Sequence, residues 1–163
     1  MSQNTLVAPP DTAENTADRE IIITRLLNAP RELVFQVWTD PAQIGLWWGP
    51  KGFTNTIHEM DVRPGGVWRF TMHGPDGASY PNKIVFLEVE PPRRLVYLHG
   101  GEDDSEGCRH TATVSFEDRD GKTHVTLHMV FVTVEHFEEV KKYGAVEGGN
   151  STLDCLEEYL AKL

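Results

Sequence analysis

The sequence predicts an α+β fold: a curved antiparallel sheet of about six or seven strands around one long C-terminal helix, with two short helices after strand one. Three observations carry this. Several segments alternate with a period of two. Trp68, Phe70 and Met72 oppose Arg69, Thr71 and His73, and Val125, Leu127, Met129 and Phe131 oppose His124, Thr126 and His128. Strands of this kind are half-buried, so one sheet face needs a cover. Near the C-terminus Leu153, Leu156, Leu160 and Leu163 recur at three and four residues, with Glu157, Glu158 and Lys162 outside the stripe, as a covering helix requires. Between the first two strands, Leu33, Val34, Val37 and Trp38 show helical spacing as well.

In chain order, residues 1–19 are polar, rich in Thr, Asn, Asp, Ala and Pro, and show no period, which predicts a flexible tail before a single domain over 20–163. Strand one is Glu20 to Asn28, with the β-branched run Ile21-Ile22-Ile23-Thr24, and it ends at Pro30. A short helix, Arg31 to Trp38, precedes a second, Pro41 to Trp48, for which Asp40 is the N-cap and Pro41 the first helical residue. Strand two is Phe53 to Val62 and strand three Gly66 to His73, joined by the tight turn Arg63-Pro64-Gly65-Gly66. Strand four runs from Lys83 to Val89 and breaks at Pro91-Pro92, and strand five is Arg94 to His99. An acidic loop over 102–107 leads to strand six, Cys108 to Glu117, and then to strand seven, Thr123 to Val132. Glu135 to Tyr143 is a short helix interrupted by Gly144, and the long helix begins at Glu147.

The bulk numbers suit one domain with one sizeable core: 163 residues, 39 % hydrophobic and 25 % charged. The net charge of −10 argues against nucleic acid or an anionic membrane surface as partner, since both need a positive footprint. No apolar run approaches the roughly 18 residues of a membrane span. The N-terminal stretch has neither the basic nor the apolar region of a targeting peptide, so the expected localisation is cytoplasmic. There Cys108 and Cys155 read as reduced, buried thiols, with a strand-to-helix disulfide as the alternative.

Two stretches go further: APRELVFQVWTDPAQIGLWWGP from Ala29 and DVRPGGVWRFTMHGPDG from Asp61. Together with the order of segments, over about residues 20 to 163, they resemble the activator of heat-shock-protein-90 ATPase homologue family, single-domain bacterial branch. That family lies in the START-like, or SRPBCC, superfamily. The resemblance implies a helix-grip fold and a cavity between sheet and helix. It says less about function, because most members have no assigned activity. One departure stands out. Relatives carry a stretch like EGWxxxLxxLxxYL at the start of the last helix, and here Asn150 is read as standing at the tryptophan position, implying a roomier and more polar cavity.

Catalytic patterns are thin. His124 and His128, four apart on a strand, stand about 13 Å apart on one face, too far to share an ion, and no HExxH or Cys/His cluster occurs, so no metal is expected. No serine sits in a GxSxG context, and the glycine pairs do not form a phosphate loop, so no cofactor is expected either. Cys108 and His110 share a strand face, but the apolar neighbours of His110 favour packing over a reactive pair. The aromatic and methionine residues carry more. Trp68, Phe70, Met72, Val114, Leu127 and Met129 would line the implied cavity from the sheet, with Phe86 and Leu153 beside them. Trp47, Trp48 and Phe53 would form its mouth, whereas Trp38 reads as core. His110 and Tyr97 are the favoured polar handles, followed by His58 and Glu88.

The leading expectation is therefore non-catalytic binding of a small apolar or amphipathic molecule between sheet and helix. The alternative, suggested by the family, is a co-chaperone-like regulator that binds a chaperone ATPase. The family's eukaryotic namesake has a further amino-terminal domain that this sequence does not show. A second alternative is a cyclase- or aromatase-like enzyme using His110, Tyr97 and Glu88 as acid–base groups.

Overall fold

The computed structural model describes residues 16–101 and 108–163, with side chains from His110 onward in the second span. Seven strands form one antiparallel sheet: β1 (Glu20–Leu27), β2 (Thr54–Met60), β3 (Val67–His73), β4 (Ser79–Glu90), β5 (Arg94–Gly101), β6 (Cys108–Arg119) and β7 (Lys122–Phe131). Their spatial order is β1-β7-β6-β5-β4-β3-β2. From β2 onward the chain meanders from one edge of the sheet to the other, and β7 closes against β1. Helices α1 (Arg31–Thr39) and α2 (Pro41–Ile44) carry the chain from β1 to the opposite edge. Helices α3 (Val134–Lys142) and α4 (Ala145–Leu160) follow β7.

The predicted alternation becomes the inner face of the sheet. Trp68, Phe70, Ile84, Phe86, Leu95, Tyr97, Val114, Phe116, Val125 and Leu127 all lie in the core, as do Leu153, Leu156 and Leu160 of α4. Helix α1 sets Val34, Phe35, Val37 and Trp38 against this core. As expected, Asp40 caps α2: one carboxylate oxygen accepts from Ala42 N at 2.9 Å and the other from Gln43 Nε2 at 2.9 Å. The Gln43 bond first, then the Ala42 bond, hold its carboxyl below the ordinary value.

Boundaries move where tertiary neighbours outweigh local signals. Helix α2 stops at Ile44 and not at Trp48, because Trp47 Nε1 donates back to Val37 O and Asn55 Nδ2 donates to the carbonyls of Gly45 and Trp48. Strand β4 begins at Ser79 and includes Pro81, which a strand pattern disfavours. Among the described residues Pro81 has a paired neighbour on the β3 side, Thr71, and β5 is paired no further than Asn82. Residues 16–19, placed in the tail by composition, are packed. Thr16 is buried and donates to Glu20 Oε2, and a 3-10 turn over Ala17–Arg19 lets Arg19 Nη1 donate to Phe131 O at 2.8 Å. The remainder of the predicted tail and the acidic loop lie outside the described residues.

The Arg63–Gly66 turn is tight, and its two glycines serve different ends. Pro64 and Gly65 hold the central positions, Gly65 has φ +85°, and Gly66 N donates to Arg63 O at 2.7 Å, the pattern of a type II turn. Gly65 N and Gly66 O also bond to Phe86, tying the turn to β4. A Cβ on Gly66 would overlap the Asp61 carbonyl, whereas one on Gly65 would meet nothing within 4 Å. Gly65→Ala should therefore cost about 1–2 kcal/mol through the left-handed backbone alone, and Gly66→Ala should cost more because the main chain itself must shift. Urea denaturation midpoints check the order; a smaller loss at Gly66 would contradict it.

Candidate functional site

A cavity of about 310 Å³ lies between the sheet, α3, α4 and the loop after α2. Each wall has a local cause. From the sheet, residues in register across β5, β6 and β7 present abreast rows: His99–His110–Phe131 and, two residues along, Tyr97–Ala112–Met129. Leu127 continues the wall toward β1. Opposite stand Ala145, Gly148, Gly149, Thr152 and Leu153 of α4, with His136 and Val140 of α3. Gly144, at φ +87°, makes the left-handed break that lets α4 turn away from α3. The remaining wall is Trp38, Trp48, Gly49 and Pro50, held by Lys51 N, which donates to Ser151 Oγ on α4 at 2.8 Å. Gly49 has φ +97°, and a Cβ there would press on Met72 Cε, another lining atom.

Of the residues singled out from sequence, Trp48, Met72, Tyr97, His110, Leu127, Met129 and Leu153 line this cavity. Trp68, Phe70, Phe86 and Val114 face the same way but lie in the packed core beneath it, each at most 2 % exposed. Trp47 is packed behind Trp38 at 5.0 Å between ring centres, and Phe53 pairs with Tyr80 at 6.2 Å, so neither forms the mouth. Trp38, read as core, is one of the walls; it is both deeply buried and in the lining.

Three polar assignments need correction. Glu88 pairs with Arg94 at 3.1 Å on the outside of the sheet, because a bulge between Phe86 and Glu88 turns Val89 toward Leu95 in its place. His58 sits at a similar irregularity in β2 and bonds Thr71 Oγ1 at 2.8 Å on the surface. Asn150 does not face the cavity. Its side-chain Nδ2 donates to Val146 O at 3.1 Å along the helix, and its main-chain carbonyl accepts from Arg25 Nη2 at 3.3 Å. Counting back from Leu153 in the family pattern reaches Gly149, which does line the cavity. Gly148 and Gly149 thus both border the open volume. A Cβ on Gly148 would rest 3.7 Å from Pro50, while one on Gly149 would press on Ile23 at 2.5 Å.

Sequence reasoning missed His99 and His136. His99 follows Tyr97 by two on β5, and that alternation was its available signal; His136 reaches the cavity only through the packing of α3. The imidazoles of His99 and His110 stand 5.0 Å apart between centres. Asn82 fixes the tautomer of His99: its Nδ2 donates to Tyr80 O, so its Oδ1 faces His99 Nε2 at 2.9 Å and accepts that proton. His110 is half-buried by surface, but what it shows faces the cavity. Desolvation first, and then the neighbouring imidazoles His99 and His136, push its pKa well below the ordinary value. Burial likewise raises the Tyr97 phenol, which stays neutral at any physiological pH.

Among the described residues no cluster of three or more His, Cys, Asp or Glu could hold a metal ion, and no helix is long and apolar enough to cross a membrane. Cys155 is a free thiol on α4, its pKa raised first by burial.

An antiparallel sheet gripping a C-terminal helix over an internal cavity defines a START-like helix-grip protein. Within that class the chain belongs to the Activator of Hsp90 ATPase homolog 1-like family, whose profile matches residues 28–161. Among solved structures it is similar to protein Ms6760 from Mycobacterium smegmatis, at 27 % identity and TM-score 0.79 over 90 % of this chain and 93 % of that one. It is also similar to protein NE0264 from Nitrosomonas europaea, at 26 % and 0.78 over 90 % and 96 %. A Staphylococcus epidermidis protein solved by solution NMR matches at 27 % and 0.79 over 93 % and 94 %. None of the curated proteins compared matches the chain.

The neutral state of His110 has a consequence for stability. An imidazole unfolds to a pKa of about 6.5, so below that pH the unfolded chain binds a proton that the folded one refuses. Its contribution is full above about pH 7 and declines as the pH falls through 6.5 toward the lower folded value. Between pH 7.5 and 5.5 the urea midpoint of His110→Gln should fall less than that of the parent. Equal falls would show that His110 takes up its proton freely in the folded state.

Proposed function

We propose that this protein binds a small, largely apolar molecule in the cavity between the sheet and α4, without chemistry on it. The observation that supports this best is the cavity itself. Its volume is about 310 Å³, and half of its lining residues are Trp, Met, Leu, Phe, Val or Ala, completed by glycines, a proline and a few polar groups, the usual makeup of a small-molecule site. The volume also has a structural cause at Gly148, which borders it on the first turn of α4 and where a Cβ would find its nearest neighbour, Pro50, 3.7 Å away. Among the described lining residues no acid lies within the cavity to work with His110.

The family supports a second reading, regulation of a chaperone ATPase through protein contact. It predicts capture of the chaperone by the purified protein and a change in its ATP turnover, neither of which needs the cavity.

Gly148→Trp separates the two. Position 148 borders the cavity and has room for a Cβ, so an indole placed there should occupy the volume, while replacement of a helical glycine favours folding by up to about 1 kcal/mol. The parent should enhance and blue-shift the emission of a neutral naphthalene-based polarity dye, and Gly148→Trp should lose that response at an unchanged or raised thermal midpoint. A dye response equal in both proteins would remove the cavity as the binding site. Native mass spectrometry of protein purified without refolding should show a bound small molecule on the parent and none on the variant.

A further inference from the structure

One wall of the cavity is a short loop, and the way it is fastened bears on how the cavity is reached. The chain is fixed up to Trp48, whose carbonyl accepts from Asn55 Nδ2 at 2.8 Å. It is fixed again from Phe53, which packs beside Tyr80 and leads into β2. Between them stand residues 49–52. Gly49 and Gly52, at the two ends, have φ +97° and +94°. Phe53 N donates to Pro50 O at 3.0 Å, so residues 50–53 form a closed turn with the left-handed Gly52 at its third position. The inner side of this loop, Gly49 and Pro50, lines the cavity, while the Lys51 side chain is 69 % exposed.

Lys51 ties the loop to α4. Its N–H donates to Ser151 Oγ at 2.8 Å, and its Nζ donates to Glu158 Oε2 at 3.1 Å. The ion pair is exposed on both sides and adds little, which leaves the hydroxyl as the main polar tie. The apolar contact beside it is small. Pro50 meets α4 at Gly148, where even an added Cβ would lie 3.7 Å from Pro50 Cγ.

Resting on the cavity reading above, we propose that residues 49–52 are a lid through which the cavity is entered, hinged at Gly49 and Gly52 and latched to α4 by the bond from Lys51 N to Ser151 Oγ. The other half of the latch is fixed. Arg25 holds α4 through Asp154 and Glu157, and Tyr159 Oη donates to Gln43, so the loop is the side that moves. Its terminal glycines pass between positive and negative φ without a Cβ in the way, as the ends of a gating loop require. Release of Ser151 lets Pro50 swing off Gly148 while the strands and α4 stay in place. A lid that opens and recloses faster than a ligand passes scales association and dissociation rates by one factor, the fraction of time it is open, and leaves their ratio unchanged. Loss of one hydrogen bond shifts the open-to-closed ratio by roughly fivefold.

Stopped-flow fluorescence with the neutral naphthalene-based polarity dye tests this. Ser151→Ala should raise the association and dissociation rates severalfold and by the same factor, while Ser151→Thr, which keeps the hydroxyl, should stay near the parent. Amide hydrogen exchange read by NMR reports the latch directly: the Lys51 N–H should exchange faster in Ser151→Ala, with the Leu153 and Leu156 amides of α4 unchanged. Dye rates equal in parent and Ser151→Ala would overturn the lid and leave the cavity reading standing. Faster exchange at Leu153 and Leu156 as well would mean that α4 itself loosens, and would overturn the latch. A parent that does not bind the dye would overturn the cavity reading and the lid with it.

Discussion

The rest of the structure depends on a contiguous cluster of all four tryptophans. Trp38 from α1, Trp47 and Trp48 from the turn after α2, and Trp68 from β3 meet edge to face, with ring centres 5.0 to 6.1 Å apart, and Trp68 stacks on Phe70 at 4.3 Å. Such pairs contribute about 0.5–1.5 kcal/mol each beyond their buried area. Their larger effect is geometric. The segment from β1 to β2 must cross the whole width of the sheet, and α2 is a single turn with little stability of its own. Aromatic packing fixes where that turn lies, and the loop after it then supplies Gly49 and Pro50 to the cavity and the Lys51 N–H to Ser151.

On the opposite side, α4 is held by polar contacts. Arg25 points from β1 to α4 and donates to Asp154 at 2.8 Å, to Glu157 at 3.1 Å and to the Asn150 carbonyl. Its carboxylate partners are half exposed, so the ion pairs add little energy singly. Their consequence is registry: they set which residues of α4 face inward. Tyr159 Oη donates to Gln43 Oε1 at 2.8 Å and links the same helix to α2. With α4 held at both sides, Gly148 on its first turn leaves a gap beside Pro50 that neither wall collapses to fill. This separates a cavity from ordinary core in a protein whose sheet is otherwise closely packed.

The elements were readable in the sequence because each rests on local chemistry. Two-residue alternation from Trp68 to Met72 and from Val125 to Phe131, the Asp40-Pro41 cap, the Pro64-Gly65 turn and the leucine stripe of α4 each act within a few residues. Part of the candidate site was readable for the same reason: Met72, Tyr97, His110, Leu127, Met129 and Leu153 were expected to face inward and Trp48 to stand at the mouth, and all seven are in the lining. Alternation alone could not separate a wall of the cavity from the core beneath it, so Trp68, Phe70, Phe86 and Val114 came with them. Glu88 failed because a bulge adds one residue to β4, which reverses every later side chain relative to a simple count.

By itself the sequence determined the fold class, the family, the covered sheet face and the uncharged character of the inner residues, because composition and period act through each residue's own neighbours. Only the tertiary structure decided where the space lies. It brought His136 from α3 beside the His99–His110 row, placed Trp38 in a wall, and set Gly148 and Gly149 beside the open volume with Asn150 turned along the helix. A cavity is what several elements leave unfilled once their axes and rotations are set, and that residue of packing has no signature in any one segment.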